Sequence, residues 1–303
     1  MNNIVIENKK FRLEIGPDAK PLSLIFLPTG EECLENSEEM SLFSLTEERP
    51  YNNEIKLAHP NKKTTFRANR LRQEGDRLII GFELITFEAV VEIDVKDNYI
   101  TFCLADFIIY PHSFGTLCMT PPPVLEFRLL QLPVRHRENF GEWLNVSFDE
   151  KLAVNVLATS PYEKIDSEER KSAKILTADA LRGVKLKGAK AALIVAETAD
   201  YLDVVREIEE DFELPRGVDA RRNPALNSSV YWVGNLNPLT VDEHIEHARR
   251  GGFRNMLVYY SAFVYEDEVY SLCGNYDFRE EVYPNGYDDV KAVLKKIKAA
   301  GIT

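Results

Sequence analysis

Tyr231-Trp232-Val233, Thr240-Val241-Asp242-Glu243 and Asn255-Met256-Leu257-Val258-Tyr259-Tyr260 decide how this chain is read. The first is a short apolar strand. The second is a capping box, in which the Thr side chain and the Glu three residues on close each other's free amides. It predicts a helix running to about Arg250, which Gly251-Gly252 end. The third is a nearly continuous apolar run, the pattern of a strand covered on both faces. After a long loop, Ser261 to Asn285, the residues Tyr287, Val290, Val293, Leu294 and Ile297 fall at helical spacing, with Gly301 at the C-cap. Ile302 would open a third strand. Strands alternating with helices predict parallel pairing through right-handed crossovers. The stretch therefore reads as about two βα units, an incomplete (β/α) barrel portion.

The residues before it follow another rhythm. Ile4-Val5-Ile6, Phe11 to Ile15 and Leu22 to Phe26 are short alternating or apolar runs. So are Thr65 to Arg72, Arg77 to Phe82, Thr86 to Ile93, Tyr99 to Ile109, Val124 to Leu130, Leu152 to Ala158 and Ala191 to Val195. Lys96-Asp97-Asn98 between two such runs signals a hairpin. Many strands with frequent turns predict a β-sandwich. Pro121-Pro122-Pro123 is a stiff extended connector, and the charged segment Ser167 to Lys174 reads as a turn of exposed helix or a loop. Ala199 to Phe212 is a helix with apolar Leu202, Val205, Ile208 and Phe212, and a polar, turn-rich stretch follows it to Asn227. The organisation predicted is a β-supersandwich over 1–198, a helical linker over 199–227, and the first βα units over 228–303.

With 303 residues the chain has room for two domains, and its net charge of −12 argues against nucleic acid or an anionic membrane as partner. Cys33, Cys103, Cys118 and Cys273 are far apart and suggest neither a zinc site nor a disulfide framework. Met1-Asn2-Asn3-Ile4 has no basic, then apolar, leader pattern, and no long apolar span follows, so a cytoplasmic protein is expected.

Chemistry is expected at the long loop, because it leaves the C-terminal end of a parallel strand, where such folds place their sites. It is rich in acids and aromatics, among them Tyr265, Glu266, Asp267, Glu268, Tyr270, Phe278, Glu280, Glu281 and Tyr283. Aromatic faces stack on sugar rings and carboxylates bind hydroxyls, although a solvated acidic loop with aromatics packed beneath it gives the same composition. Trp232, Tyr260, Tyr276 and Asp277 are the candidate ligand contacts. Glycosidic cleavage needs two carboxyls across the bond, and no such pair is assigned. His244 and His247 at i, i+3 could share a metal, but a solvated face is the preferred reading, and neither metal nor cofactor is expected. His136 between Arg135 and Arg137 could hold an anion, but a surface edge is the preferred reading. No nucleophile elbow, P-loop or dinucleotide fingerprint follows a strand.

Asn8 to Ile15, Leu22-Ser23-Leu24 and Thr29-Gly30-Glu31-Glu32 resemble the opening hairpin of galactose-mutarotase-like β-supersandwich domains that precede many glycoside hydrolase barrels. Tyr231-Trp232, then Gly252-Phe253-Arg254-Asn255-Met256, then Gly274-Asn275-Tyr276-Asp277 and Tyr283-Pro284-Asn285-Gly286-Tyr287, resemble the start of the (β/α)8 domain of α-galactosidase-like glycosidases. The resemblance implies the N-terminal part of a carbohydrate-active enzyme with carbohydrate as ligand. Where that family commonly ends its second strand in an Asp pair, this chain has Tyr259-Tyr260-Ser261, and the family's catalytic aspartates would lie beyond Thr303. An inactive front end is therefore expected. Two alternatives stay open: a non-catalytic carbohydrate-binding or assembly module, and a mutarotase-type epimerase built from His112 or His136 with Glu126 or Glu142. An uncovered parallel sheet would also favour docking onto the β-domain or a homo-oligomer.

Overall fold

A computed structural model describes residues 2–35, 39–48, 51–52, 57–58, 63–83, 87–109, 124–224, 229–264 and 278–303. They fall into two compact units, Met1–Val218 and Asp219–Thr303.

The first unit opens with a four-stranded antiparallel sheet: β1 (Ile4–Glu7), β2 (Phe11–Ile15), β3 (Pro21–Phe26) and β4 (Glu31–Glu32). Strands β5 (Ser44–Glu48), β8 (Lys63–Glu74), β9 (Arg77–Phe82), β10 (Phe87–Val95), β11 (Tyr99–Ile109) and β12 (Val124–Arg135) follow. A two-stranded ribbon, β6 (Tyr51–Asn52) with β7 (Leu57–Ala58), lies between β5 and β8 in sequence. Then come β13 (Asn139–Gly141), β14 (Val146–Phe148), β15 (Leu152–Ala158), β16 (Glu163–Glu169), β17 (Ala173–Leu181) and β18 (Lys190–Glu197). Twelve of these form one sheet in the order β13-β14-β15-β18-β11-β10-β9-β8-β5-β12-β17-β16. Phe11, Leu13, Leu24 and Phe26 of the small sheet share a core with Phe82, Phe102, Phe127 and Leu132 of the large one. Each fully buried Phe or Leu contributes roughly 1.5–3 kcal/mol relative to exposure.

The opposite face of the large sheet is covered in part by α1 (Tyr201–Asp211), the helix that the sequence reading assigned to a linker. Its Tyr201, Val204, Val205 and Ile208 pack with Tyr99, Ala192, Ile194 and Ala196. The sheet also curls on itself. Asn145, left-handed at φ 52, donates from Nδ2 to the carbonyls of Val156 (3.0 Å) on β15 and Thr177 (3.3 Å) on β17.

One prediction is overturned in this unit. The charged segment Ser167 to Lys174 is neither helix nor loop but the end of β16, a turn, and the start of β17. β16 is the edge of the twelve-stranded sheet. Charged side chains on such a strand keep its unpaired amides from recruiting another chain, and they also hide its alternation.

In the second unit β19 (Val230–Val233) pairs in parallel with β20 (Asn255–Val258), in register from Val230↔Asn255 to Val233↔Val258. Helices α3 (Val241–Arg250) and α4 (Tyr287–Ala299) follow their respective strands, and α2 (Gly217–Arg222) spans the junction of the units. Tyr231, Val233, Met256 and Val258 face a core with Val241, Ile245, Val290, Val293 and Ile297. Both long helices end in Schellman motifs. At α3, Phe253 N–H donates to Ala248 O (2.9 Å) around Gly252 at φ +73. At α4, Ile302 N–H reaches Ile297 O (3.3 Å) around Gly301 at φ +77, and Ile302 is buried. Thr303 N–H then donates to Arg254 O (2.9 Å), and its carbonyl accepts from Met256 N–H (2.8 Å). That is one rung of a parallel ladder, on the side of β20 away from β19.

Two further expectations are corrected. The capping box at Thr240 does not form, because Asn237 has taken its place. Asn237 Oδ1 accepts from the amides of Leu239 (2.8 Å) and Thr240 (3.0 Å), and its carbonyl accepts Val241 N–H (3.0 Å). Thr240 turns its hydroxyl back to the carbonyl of Asn235 (2.8 Å) instead. Nor is β20 covered on both faces among the described residues: Leu257 is 48% exposed.

Candidate functional site

The pleat of β19 and β20 sorts their side chains. One set lies under the helices; the other, Val230, Trp232, Leu257 and Tyr259, forms an exposed apolar face. Trp232 is 65% exposed, and its ring stacks beside that of Tyr259, with centroids 6.3 Å apart and planes 29° apart. An exposed Trp–Tyr pair offers two large π-faces with little rotamer entropy left to lose.

The loop leaving β19 is held rigidly. Leu236 is fully buried, and Tyr283, itself buried, donates from Oη to the carbonyl of Leu236. Burial pushes the Tyr283 phenol up to about 12, so it remains a donor across the physiological range. His244 on α3 lies between two groups of β19 and its loop, with Nδ1 3.1 Å from Tyr231 Oη and Nε2 2.9 Å from Asn235 Oδ1. After β20 the backbone makes a 3-10 turn, Tyr260–Ala262, and a bridge joins Val264 to Phe278. The two ends of the acidic loop are therefore pinned together.

Of the predicted contacts, Trp232 lies on this face. Tyr260 begins the 3-10 turn, but its side chain lies outside the described residues, as do Tyr276, Asp277 and the loop residues Tyr265 to Tyr270. Tyr283 is a core residue, while Glu280 and Glu281 are exposed. Sequence reasoning passed over Asn235 and gave Tyr259 no role. The signal available was their place at the ends of the two strands.

The histidine candidates resolve differently. His244 is bound to Tyr231 and Asn235, and His247 approaches Glu243 (3.9 Å) on its own helix. Among the described residues, no group of three His, Cys, Asp or Glu could hold a metal ion. His136 contacts Arg170 O (3.0 Å) and Glu169 (3.2 Å), while Arg137, beside it, is buried between Glu31 (2.7 Å) and Asp149 (2.6 Å). That cluster is therefore a structural clamp rather than an anion site. Glu126 sits near the start of β12 and His136 just past its end. At about 3.3 Å per extended residue the two are some 30 Å apart, so they do not share a cleft. Glu142 is exposed in a separate 3-10 turn beside Trp143, which is 94% exposed, and His112 lies outside the described residues. Cys33 is a buried free thiol, pushed up to about 12 by that burial, and Cys103 is half-buried and shifted upward for the same reason. No helix among the described residues is long and apolar enough to cross a membrane.

Neither a protein-family model nor a curated protein matches the chain. Solved structures do. An α-N-acetylgalactosaminidase from Bifidobacterium bifidum, in complex with Gal-NHAc-DNJ, superposes on 99% of this chain and 57% of its own, with a TM-score of 0.50 at 9% identity. The same enzyme in its GalNAc complex gives 0.50 at 10% identity, over 99% of this chain and 58% of that one. The chain has the fold of part of a glycoside hydrolase. A sulfoquinovosidase of glycoside hydrolase family 31 from E. rectale scores 0.45 at 11% identity, over 99% of this chain and 47% of that one. The chain thus spans a little over half the length of the Bifidobacterium bifidum enzyme.

Proposed function

We propose that this chain recognises carbohydrate within a glycoside-hydrolase-type protein, with a pyranose laid on Trp232 at the C-terminal ends of β19 and β20. One observation carries the reading. The exposed Trp232–Tyr259 pair lies on the face of two parallel strands that no helix covers among the described residues, near the strand ends where such folds place ligands. Sugar C–H faces fit an aromatic platform, and the glycosidase of like fold was solved with GalNAc. Recognition, rather than bond cleavage, is the role given to the described residues; Tyr260, Tyr276 and Asp277 complete the proposed contacts.

Titration of the purified chain with N-acetylgalactosamine and galactose, followed by tryptophan fluorescence and calorimetry, tests this. Saturable binding weakened about tenfold or more by Trp232→Ala is expected, the loss of a stacking contact of roughly 1–2 kcal/mol. No heat and no quenching with any pyranoside would sink the reading. Hydrolysis of aryl glycosides by the same preparation would extend the role to cleavage.

A second reading draws on the same face. Val230, Trp232, Leu257 and Tyr259 together form an apolar patch suited to assembly. A concentration-dependent mass in sedimentation, abolished by Leu257→Asp, would favour it over the sugar.

A further inference from the structure

We infer that Asn235 is a ligand-contacting residue of this same site, its side-chain amide aimed by a relay from Tyr231 through His244 so that Nδ2 donates to a pyranose hydroxyl. The inference rests on the carbohydrate reading above. β19 ends at Val233, and Gly234 carries no side chain, so Asn235 is the first side chain beyond the strand end. It is exposed, yet its amide is fixed. Oδ1 can only accept, so the contact with His244 Nε2 (2.9 Å) places the imidazole proton on Nε2. Nδ1 is then an acceptor, and Tyr231 Oη donates to it at 3.1 Å. With Oδ1 occupied, the amide plane is set and Nδ2 points away from His244. Nδ2 donates to no described residue.

Anchoring the loop is not a sufficient reason for this relay. Buried Leu236, the Tyr283 hydroxyl on its carbonyl, the Asn237 turn and the Thr240 hydroxyl on Asn235 O (2.8 Å) already fix the backbone. What the relay adds is the orientation of one exposed amide. A donor held in place before binding loses little entropy on forming its bond. A neutral sugar, dense in hydroxyl acceptors, is the ligand class that suits a fixed N–H beside an aromatic face.

The chain has two tryptophans, so Trp143→Phe, at a position 94% exposed, leaves Trp232 as the sole reporter. In that background, titration with N-acetylgalactosamine and galactose reads the site directly. Asn235→Ala is expected to weaken binding about tenfold, as for one hydrogen bond made to ligand. Asn235→Asp, which removes the donor, should do the same. His244→Ala should weaken binding about threefold, and His244→Gln, which can still donate to Oδ1, should restore it. Unfolding temperatures should stay level across the set. Unchanged binding in Asn235→Ala overturns the inference, and so does a loss that tracks a fall in unfolding temperature, because that marks a purely structural role. A wild-type Trp232 signal that never responds to sugar removes the carbohydrate reading itself, a different result that takes this inference with it.

Discussion

The β-unit and the parallel unit treat their sheets in opposite ways. In Met1–Val218 the inner face of the twelve-stranded sheet is buried in a core that it shares with the four-stranded sheet and encloses by its own curl, and the helix α1 covers part of the other face. In Asp219–Thr303 two strands bury the side chains that face α3 and α4 and leave Val230, Trp232 and Leu257 at 49%, 65% and 48% exposure. A sheet that is closed stores stability, whereas a sheet with a free apolar face near its strand ends offers a surface for something else. The same contrast holds for charge. Asp179 is fully buried and accepts from Nε and Nη2 of Arg128 (2.7 and 3.1 Å), whereas the ion pair Lys296–Asp242 (2.8 Å) of the parallel unit lies in solvent.

The strongest way to break this contrast is to cut into both faces. Phe127 is fully buried and packs against Phe43, Phe82 and Phe107. Phe127→Ala should cost about 3–5 kcal/mol, whereas Leu257→Ala should change stability by about 0.5 kcal/mol or less. Hydrogen exchange resolved by unit reads the two separately. If Leu257→Ala costs as much as a core truncation, its face is covered and the contrast fails.

Next come the charges. Arg128→Ala strands the Asp179 carboxylate in the sheet and should cost about 3 kcal/mol. Arg128→Met with Asp179→Leu should recover most of that loss, since the cost lies in the unpaired charge. Lys296→Ala, removing an exposed pair, should cost about 0.5 kcal/mol at most. Equal losses from Arg128→Ala and Lys296→Ala in chemical denaturation would show that burial does not separate the units electrostatically.

How much of this was legible in the sequence follows the same division. Strands such as Phe11–Ile15 and Tyr99–Ile109 were readable because one sealed core imposes a period of two, or a continuous apolar run, on all of them. β16 was not, because an edge strand carries charges for solubility: Glu163, Ile165 and Ser167 alternate with exposed Lys164, Asp166 and Glu168, but polar residues on both faces hide that alternation in the sequence. In the parallel unit the order of elements and the start of α3 were clear from Gly252, Gly301, Thr240 and the helical spacing, but the way that start is capped was misread. Thr240 and Glu243 have the residue types of a capping box; only the three-dimensional turn reveals that Asn237 caps first. Trp232 could be picked out by residue type and position, whereas Asn235 gains meaning only once His244 is seen beside it.

A pH experiment sharpens the comparison further. Burial, and then the negative charge of Asp179, hold the Glu126 carboxyl above its ordinary range. A raised folded pKa means that the carboxyl favours the fold fully when protonated, below its unfolded value of about 4.5, and that this contribution is lost as pH rises through the folded value. Glu126→Gln should therefore raise the unfolding temperature of the β-unit at pH 7 and leave it nearly level at pH 3. An unchanged melting temperature at pH 7 would mean that the carboxyl is solvated after all.

The smallest effect is also the cleanest control, because the same change can be made in both units. Gly75, in the two-residue turn between β8 and β9, has φ +66, and Gly252, closing α3, has φ +73; a Cβ at either would meet nothing within 4 Å. Gly75→Ala and Gly252→Ala therefore add only the strain of a left-handed alanine, about 1 kcal/mol each, with no packing difference between them. Equal shifts in the exchange-derived stability of the two units would show that the larger differences above come from what each sheet buries, and not from how tightly each backbone is wound. A loss of several kcal/mol at Gly252 alone would instead locate the weakness of the parallel unit in its turn geometry, and its open face would no longer be needed to explain it.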